Sequence, residues 1–95
     1  MKYYFVYIVA SRPNGVLYTG LTSDLPKRIY QHKTGIFIGF SKKYTTKTLV
    51  WYETHTDIYN AIRREKQIKK WKREWKINLI EKENSHWKDL YGTLL

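Results

Sequence analysis

Residues 3–22 read YYFVYIVASRPNGVLYTGLT, and their pattern decides the fold. Tyr3 to Ala10 is an unbroken run of β-branched and aromatic residues, the types that fit a pleated strand. Arg12-Pro13-Asn14-Gly15 follows, in which proline presets φ and Asn-Gly tolerates positive φ, so the chain turns. Val16 to Thr22 returns as a second strand, which makes the opening an antiparallel hairpin. A four-residue loop over Ser11–Asn14 would set Ala10 opposite Gly15 and Tyr7 opposite Tyr18. Because strand side chains alternate, a two-residue shift keeps both phenols on one face, whereas a one-residue slip parts them.

Thr22-Ser23-Asp24 supplies helix N-cap candidates, and Pro26 is tolerated in a first turn. The helix runs to about Lys33, with Gly35 as its stop. Leu25 and Ile29 face a core, with Arg28 and His32 as an i,i+4 pair beside that stripe. Residues 34–47, including Lys42 and Lys43, read as a loop. Leu49-Val50-Trp51-Tyr52 is a third strand. Thr54 or Thr56 then caps a helical region from about Asp57. Ile58, Ala61, Ile62 and Ile68 fit one helical face, continued by Trp71, Trp75, Leu79 and Ile80 across a bend near Trp71. A short tail from Ser85 packs back through Trp87 and Leu90. Strands followed by helices, with a mostly antiparallel sheet, make a single α+β domain over residues 1–95.

The bulk composition narrows the function. Eighteen lysines and arginines against eight acidic residues give a net charge of +10, which points to a polyanion, nucleic acid ahead of a membrane surface. Without cysteine, disulfides and cysteine zinc sites are excluded, and the three histidines lack the close pairing of a histidine metal site. The N-terminal apolar run is too short and too aromatic for a signal, and no stretch reaches the ~20 apolar residues that span a bilayer. A soluble, cytoplasmic protein is expected.

Three features resist a purely structural reading. Glu65 falls between Ala61, Ile62 and Ile68, inside the stripe that faces the sheet, and a buried carboxylate demands a cation or metal. An ion pair, with Arg28 for example, would serve as well as a metal. Tyr7 and Tyr18 bring two phenols to one face, which cross-strand packing alone could explain. A phenol needs a cation or metal nearby to act as a base at neutral pH. Arg28 and His32 alone suit solvent; beside the phenols they could reach a phosphate. Separately, residues 63–73 carry seven cations, Arg63, Arg64, Lys66, Lys69, Lys70, Lys72 and Arg73. With Lys42 and Lys43 they form a candidate nucleic-acid-binding surface.

These residues together resemble the GIY-YIG nuclease superfamily, specifically its small stand-alone bacterial members. The signature tripeptides stand here as Phe5-Val6-Tyr7 and Tyr18-Thr19-Gly20. The eleven-residue tyrosine spacing, Thr22-Ser23-Asp24-Leu25 leading to Arg28 and His32, and Ala61-Ile62-Arg63-Arg64-Glu65-Lys66 match as well. So do Lys70-Trp71-Lys72-Arg73, Asn84 and Trp87-Lys88-Asp89-Leu90. The resemblance implies a three-stranded antiparallel sheet flanked by helices, with Tyr7, Tyr18, Arg28, His32 and Glu65 lining one catalytic site. It implies one Mg2+ or Mn2+ held by Glu65, with water and substrate phosphate completing the oxygen shell. Tyr7 or His32 would assist deprotonation of the attacking water, Tyr18 would orient it, and Arg28 would stabilise phosphoryl charge. A late asparagine is matched better by Asn84 than by Asn78. Better-known relatives carry a separate DNA-recognition domain, for which this chain has no room.

The expectation is a metal-dependent DNA endonuclease, structure-directed in repair or recombination. The alternatives are a non-catalytic or weakly active nucleic-acid-binding module and an RNA-directed role.

Overall fold

The computed structural model describes residues 2–35 and 45–95, so the expectations for Lys42 and Lys43 fall outside the described residues. Three strands, β1 (Tyr4–Ala10), β2 (Leu17–Thr22) and β3 (Thr48–His55), form an antiparallel sheet ordered β2-β1-β3. Helix α1 (Leu25–Thr34) links β2 to the later strand; α2 (Ile58–Lys69), α3 (Arg73–Glu83) and a 3-10 turn at Leu90–Leu94 follow β3. The architecture is the expected α+β arrangement.

The central strand β1 explains why its sequence is apolar without alternation: Val6 to Ala10 are all fully buried, because both faces of the sheet are covered. On one face Tyr7 and Val9 pack with Leu25 and Ile29 of α1, with Leu49, and with Leu90 and Leu94 of the 3-10 turn. On the other, Val6, Ile8 and Ala10 meet Val50, Ala61 and Ile68 of α2, Ile80 of α3 and Trp87. The tail therefore packs back as the sequence suggests.

The hairpin register differs from the simplest reading. Tyr7 faces Gly20 and Tyr18 faces Val9, because the turn occupies Ser11 to Val16 rather than four residues. The Ser11 hydroxyl accepts from Val16 N at 2.9 Å and Arg12 carbonyl from Gly15 N at 2.8 Å, closing this wider turn. The shift is an even number of residues, so the two tyrosines stay on one face.

Helix ends follow local chemistry. Asp24 accepts from Lys27 N at the start of α1, and Gly35 closes it at φ 71, in the left-handed region that suits glycine. At α2 the cap is Asp57, accepting from Tyr59 N, and not Thr54 or Thr56, which belong to the longer β3 and the bend after it. The bend expected near Trp71 is a true break, since α2 ends at Lys69 and α3 begins at Arg73. It rotates Trp75 out of the core stripe; that indole is 49% exposed, contrary to its assignment to the apolar face.

A register shift between Ile8 and Val9 leaves Val50 as an extra residue on β3. Its carbonyl accepts from Asn84 Nδ2 at 3.0 Å. The same amide donates to Lys88 O at 2.9 Å and accepts from Lys88 N at 2.9 Å. Asp89 then accepts from Leu49 N and Tyr91 N and pairs with Lys33 of α1. The tail is thus stitched to a bulge, a strand and a helix.

Candidate active site

The site is built around Gly20. A Cβ added there would lie 2.4 Å from both Cζ and Oη of Tyr7, so the Tyr7 ring lies directly over the β2 backbone. Only glycine allows that approach. The glycine appeared in the sequence reading as part of a tripeptide; its steric role was legible only as an isolated glycine inside a strand.

Pressed there, the Tyr7 phenol is fully buried and hydrogen-bonded to His32 Nε2 at 2.9 Å. His32, at 1% exposure, is no surface residue, which corrects the reading of the Arg28–His32 pair as suited to solvent. It stands one turn after Arg28 on α1, whose buried Leu25 and Ile29 press the helix onto the sheet. Tyr18 completes an aromatic triangle, its ring 6.4 Å from Tyr7 and 5.4 Å from His32.

Electrostatics bind this cluster further. Burial pushes the Tyr7 phenol well above the usual phenol range, and the neighbouring Tyr18 adds to that; a hydrogen bond and the charge of Arg28 oppose it, while the Glu65 carboxylate pushes the same way as burial. Burial, aided by Arg28, pulls His32 down to about 4, so the imidazole is neutral at pH 7. A neutral phenol beside a neutral imidazole can donate its own proton to Nε2 when the imidazole proton is on Nδ1. Tyr7, Tyr18, Arg28, His32 and Glu65 are therefore drawn from β1, β2, α1 and α2 to one locality.

Glu65 is 17% exposed, as its place in the α2 stripe predicts, and pairs with Lys69 at 2.9 Å. Among the described residues no group of three or more histidines, cysteines or acids could cage a metal. One carboxylate near a phenol and a guanidinium suits a hard ion that keeps most of its waters and takes phosphate oxygen, such as Mg2+ or Mn2+. It does not suit a protein-caged zinc. Beside the cluster, an open cleft lined by Thr22, Ser23, Asp24, Lys27, Arg28 and Gln31 gives Arg28 access to solvent.

Asn84 is not brought to this cluster. Its amide is bonded to the Val50 bulge carbonyl on β3 and to Lys88, whereas the phenols lean over β2, with β1 between. Its three hydrogen bonds tie the tail to β3. The basic stretch also divides. Arg64 bonds Glu53 at 3.1 Å and lies over the Trp71 ring, and Arg73 donates to the Asn14 and Gly15 carbonyls. Lys69 holds Glu65. Arg63, Lys66 and Lys70 line a surface depression with Gln67, and Lys72 is exposed.

The fold and this cluster define a GIY-YIG domain, and the chain belongs to that family: the model of the GIY-YIG catalytic domain matches residues 3–78. Among similar proteins is a UPF0213 protein of Staphylococcus epidermidis, 36% identical over 81 residues that cover 85% of this chain and 98% of that one. A UPF0213 protein of Haloquadratum walsbyi is 35% identical over 79 residues, 83% of this chain and 88% of its own. The solution structure of a UPF0213 protein from Bacillus halodurans superposes with a TM-score of 0.58 at 25% identity, covering 92% of both chains. No helix among the described residues is long and apolar enough to cross a membrane.

Proposed function

We propose that this protein is a divalent-metal-dependent endonuclease that hydrolyses DNA phosphodiester bonds. The observation that carries the reading is the buried Tyr7–His32 hydrogen bond beside Arg28, with Glu65 in electrostatic reach. A purely structural tyrosine would not need a glycine beneath its ring, a guanidinium at its oxygen and a carboxylate nearby.

Each side chain has a part. Arg28, open to the cleft, binds a phosphate oxygen and stabilises charge that grows in the transition state. Tyr7 accepts a proton from the attacking water only if its own proton can leave, and His32 Nε2 is placed to take it. An imidazole held near 4, first by burial and then by the charge of Arg28, is a weak acceptor; an anionic phosphate on Arg28 offsets the second of these and raises its basicity. Tyr18 packs the pair and orients the nucleophile. Glu65 would hold Mg2+ or Mn2+, which supplies charge stabilisation for the leaving oxygen. Exposed Lys66, Lys70 and Lys72 hold the DNA backbone, and branched DNA of the kind met in repair or recombination is the first substrate to test.

The test is cleavage of supercoiled plasmid and branched oligonucleotides with Mg2+ or Mn2+ by the parent, Glu65→Ala and Arg28→Ala. Parent cleavage, with each variant down by about 100-fold or more, supports the reading. DNA binding with no cleavage by the parent under either ion would reduce the protein to a binding module.

A further inference from the structure

The α2–α3 junction carries three cations that the proposed chemistry does not use. Lys69 Nζ lies 2.9 Å from Glu65 Oε2, with its side chain 49% exposed against 17% for the carboxylate. Lys76 titrates below an ordinary lysine, first through burial and then through the charges of Arg73 and Lys69, which places the three cations in one neighbourhood. The Arg73 guanidinium is committed to the hairpin carbonyls of Asn14 and Gly15. That leaves the ammonium groups of Lys69 and Lys76, and of these two only Lys69 has a carboxylate partner among the described residues, Glu65. Three like charges held together with one carboxylate lack anionic compensation, and a phosphate would supply it.

We propose that Lys69 is a displaceable cation: it holds the Glu65 carboxylate in the metal-free protein and, when a divalent ion takes that carboxylate, moves to a phosphate of the bound strand beside Lys76. This rests on Glu65 being the metal ligand. An ammonium and a divalent ion cannot share one carboxylate without strong repulsion, so one must leave. Lys69 is half exposed, on a flexible four-carbon stem that can swing its ammonium group into solvent and leave the i,i+4 pair. Once released, Lys69 needs an anion, and the strand brings one. Metal and nucleic acid then assist each other's binding, and the assistance is reciprocal.

Mn2+ affinity, followed by electron paramagnetic resonance without nucleic acid, tests this in the parent, Lys69→Met, Lys69→Arg and Glu65→Gln. With the competing ammonium gone, Lys69→Met binds Mn2+ roughly two- to fivefold more tightly than the parent, while Lys69→Arg stays near it. In cleavage assays Lys69→Met raises KM for an oligonucleotide by about fivefold with a smaller change in kcat. A side chain that merely stabilises the helix would not tighten metal binding when removed. Equal or weaker Mn2+ binding by Lys69→Met, with Glu65→Gln still abolishing binding, overturns the displacement. Binding that Glu65→Gln leaves unchanged, or no binding in any of the four proteins, instead refutes the metal-ligand reading of Glu65 and the displacement with it.

Discussion

At the scale of single residues, the site depends on one missing side chain. Gly20→Ala places a methyl 2.4 Å from the Tyr7 Cζ and Oη, and Tyr7 cannot swing away because it is fully buried. Relief must come from shifting the phenol or the hairpin, at a cost of about 1–3 kcal/mol. The expected outcome is a lower melting temperature together with lost cleavage at temperatures where the variant is folded. Wild-type cleavage by folded Gly20→Ala would mean that the Tyr7 position is immaterial. His32 leads to a second expectation. Its folded value is about 4 against an ordinary 6.5, so between those values the unfolded chain binds more protons than the folded one. Stability is therefore intact above about pH 6.5 and falls as pH drops toward 4, by about 2 kcal/mol between pH 7 and pH 4.5 from this residue. Urea midpoints at both pH values should converge in His32→Gln relative to the parent. An identical acid loss in both proteins would show that His32 does not titrate this way.

At the scale of elements, Asn84 separates structure from chemistry. Three hydrogen bonds join it to the Val50 bulge and to Lys88, and truncation leaves the Val50 carbonyl and two Lys88 backbone groups without their partner. Asn84→Ala should cost about 3 kcal/mol by denaturant unfolding, yet leave kcat within about twofold where the protein is folded. A large fall in kcat with unaltered stability would return Asn84 to the catalytic set. The asparagine also marks what the sequence concealed. Hairpin, first helix and Gly35 stop were legible because turn and cap chemistry is local. A bulge between Ile8 and Val9 is not local: it depends on how β3 pairs with β1, so nothing near Asn84 announced its partner. The same holds for Trp75, whose helical spacing fits the apolar face only if the helix runs on unbroken through residues 70–72. Tyr7 and Tyr18 stayed legible because parity of register survives a two-residue shift. The burial of His32 was not, since only the docked α1 presses it against the phenols.

At the scale of the whole molecule, the net charge of +10 is not one uniform surface. Arg64 and Arg73 are bound to Glu53 and to the hairpin carbonyls, and their heads serve the fold. Lys66, on the same helix as Glu65, and Lys70 and Lys72, in the break just after that helix, are exposed, so a strand held there lies near the proposed site. Each phosphate neutralised by a lysine contributes about 0.9 to the slope of log affinity against log salt. Changing these three to alanine should therefore flatten that slope by about 2–3 on duplex DNA. It should weaken all sequences alike, because phosphate contacts carry no base information. Removing three charges also lowers the long-range field, so Lys2, Lys82 and Lys88, likewise exposed, provide a charge-matched control. The control triple should change the slope by less than about 1, since a screened distant charge releases no counterion at the contact. Equal flattening in both triples would mean that the protein attracts nucleic acid through total charge alone. An unchanged slope in the first would move the strand to the cleft of Lys27 and Arg28.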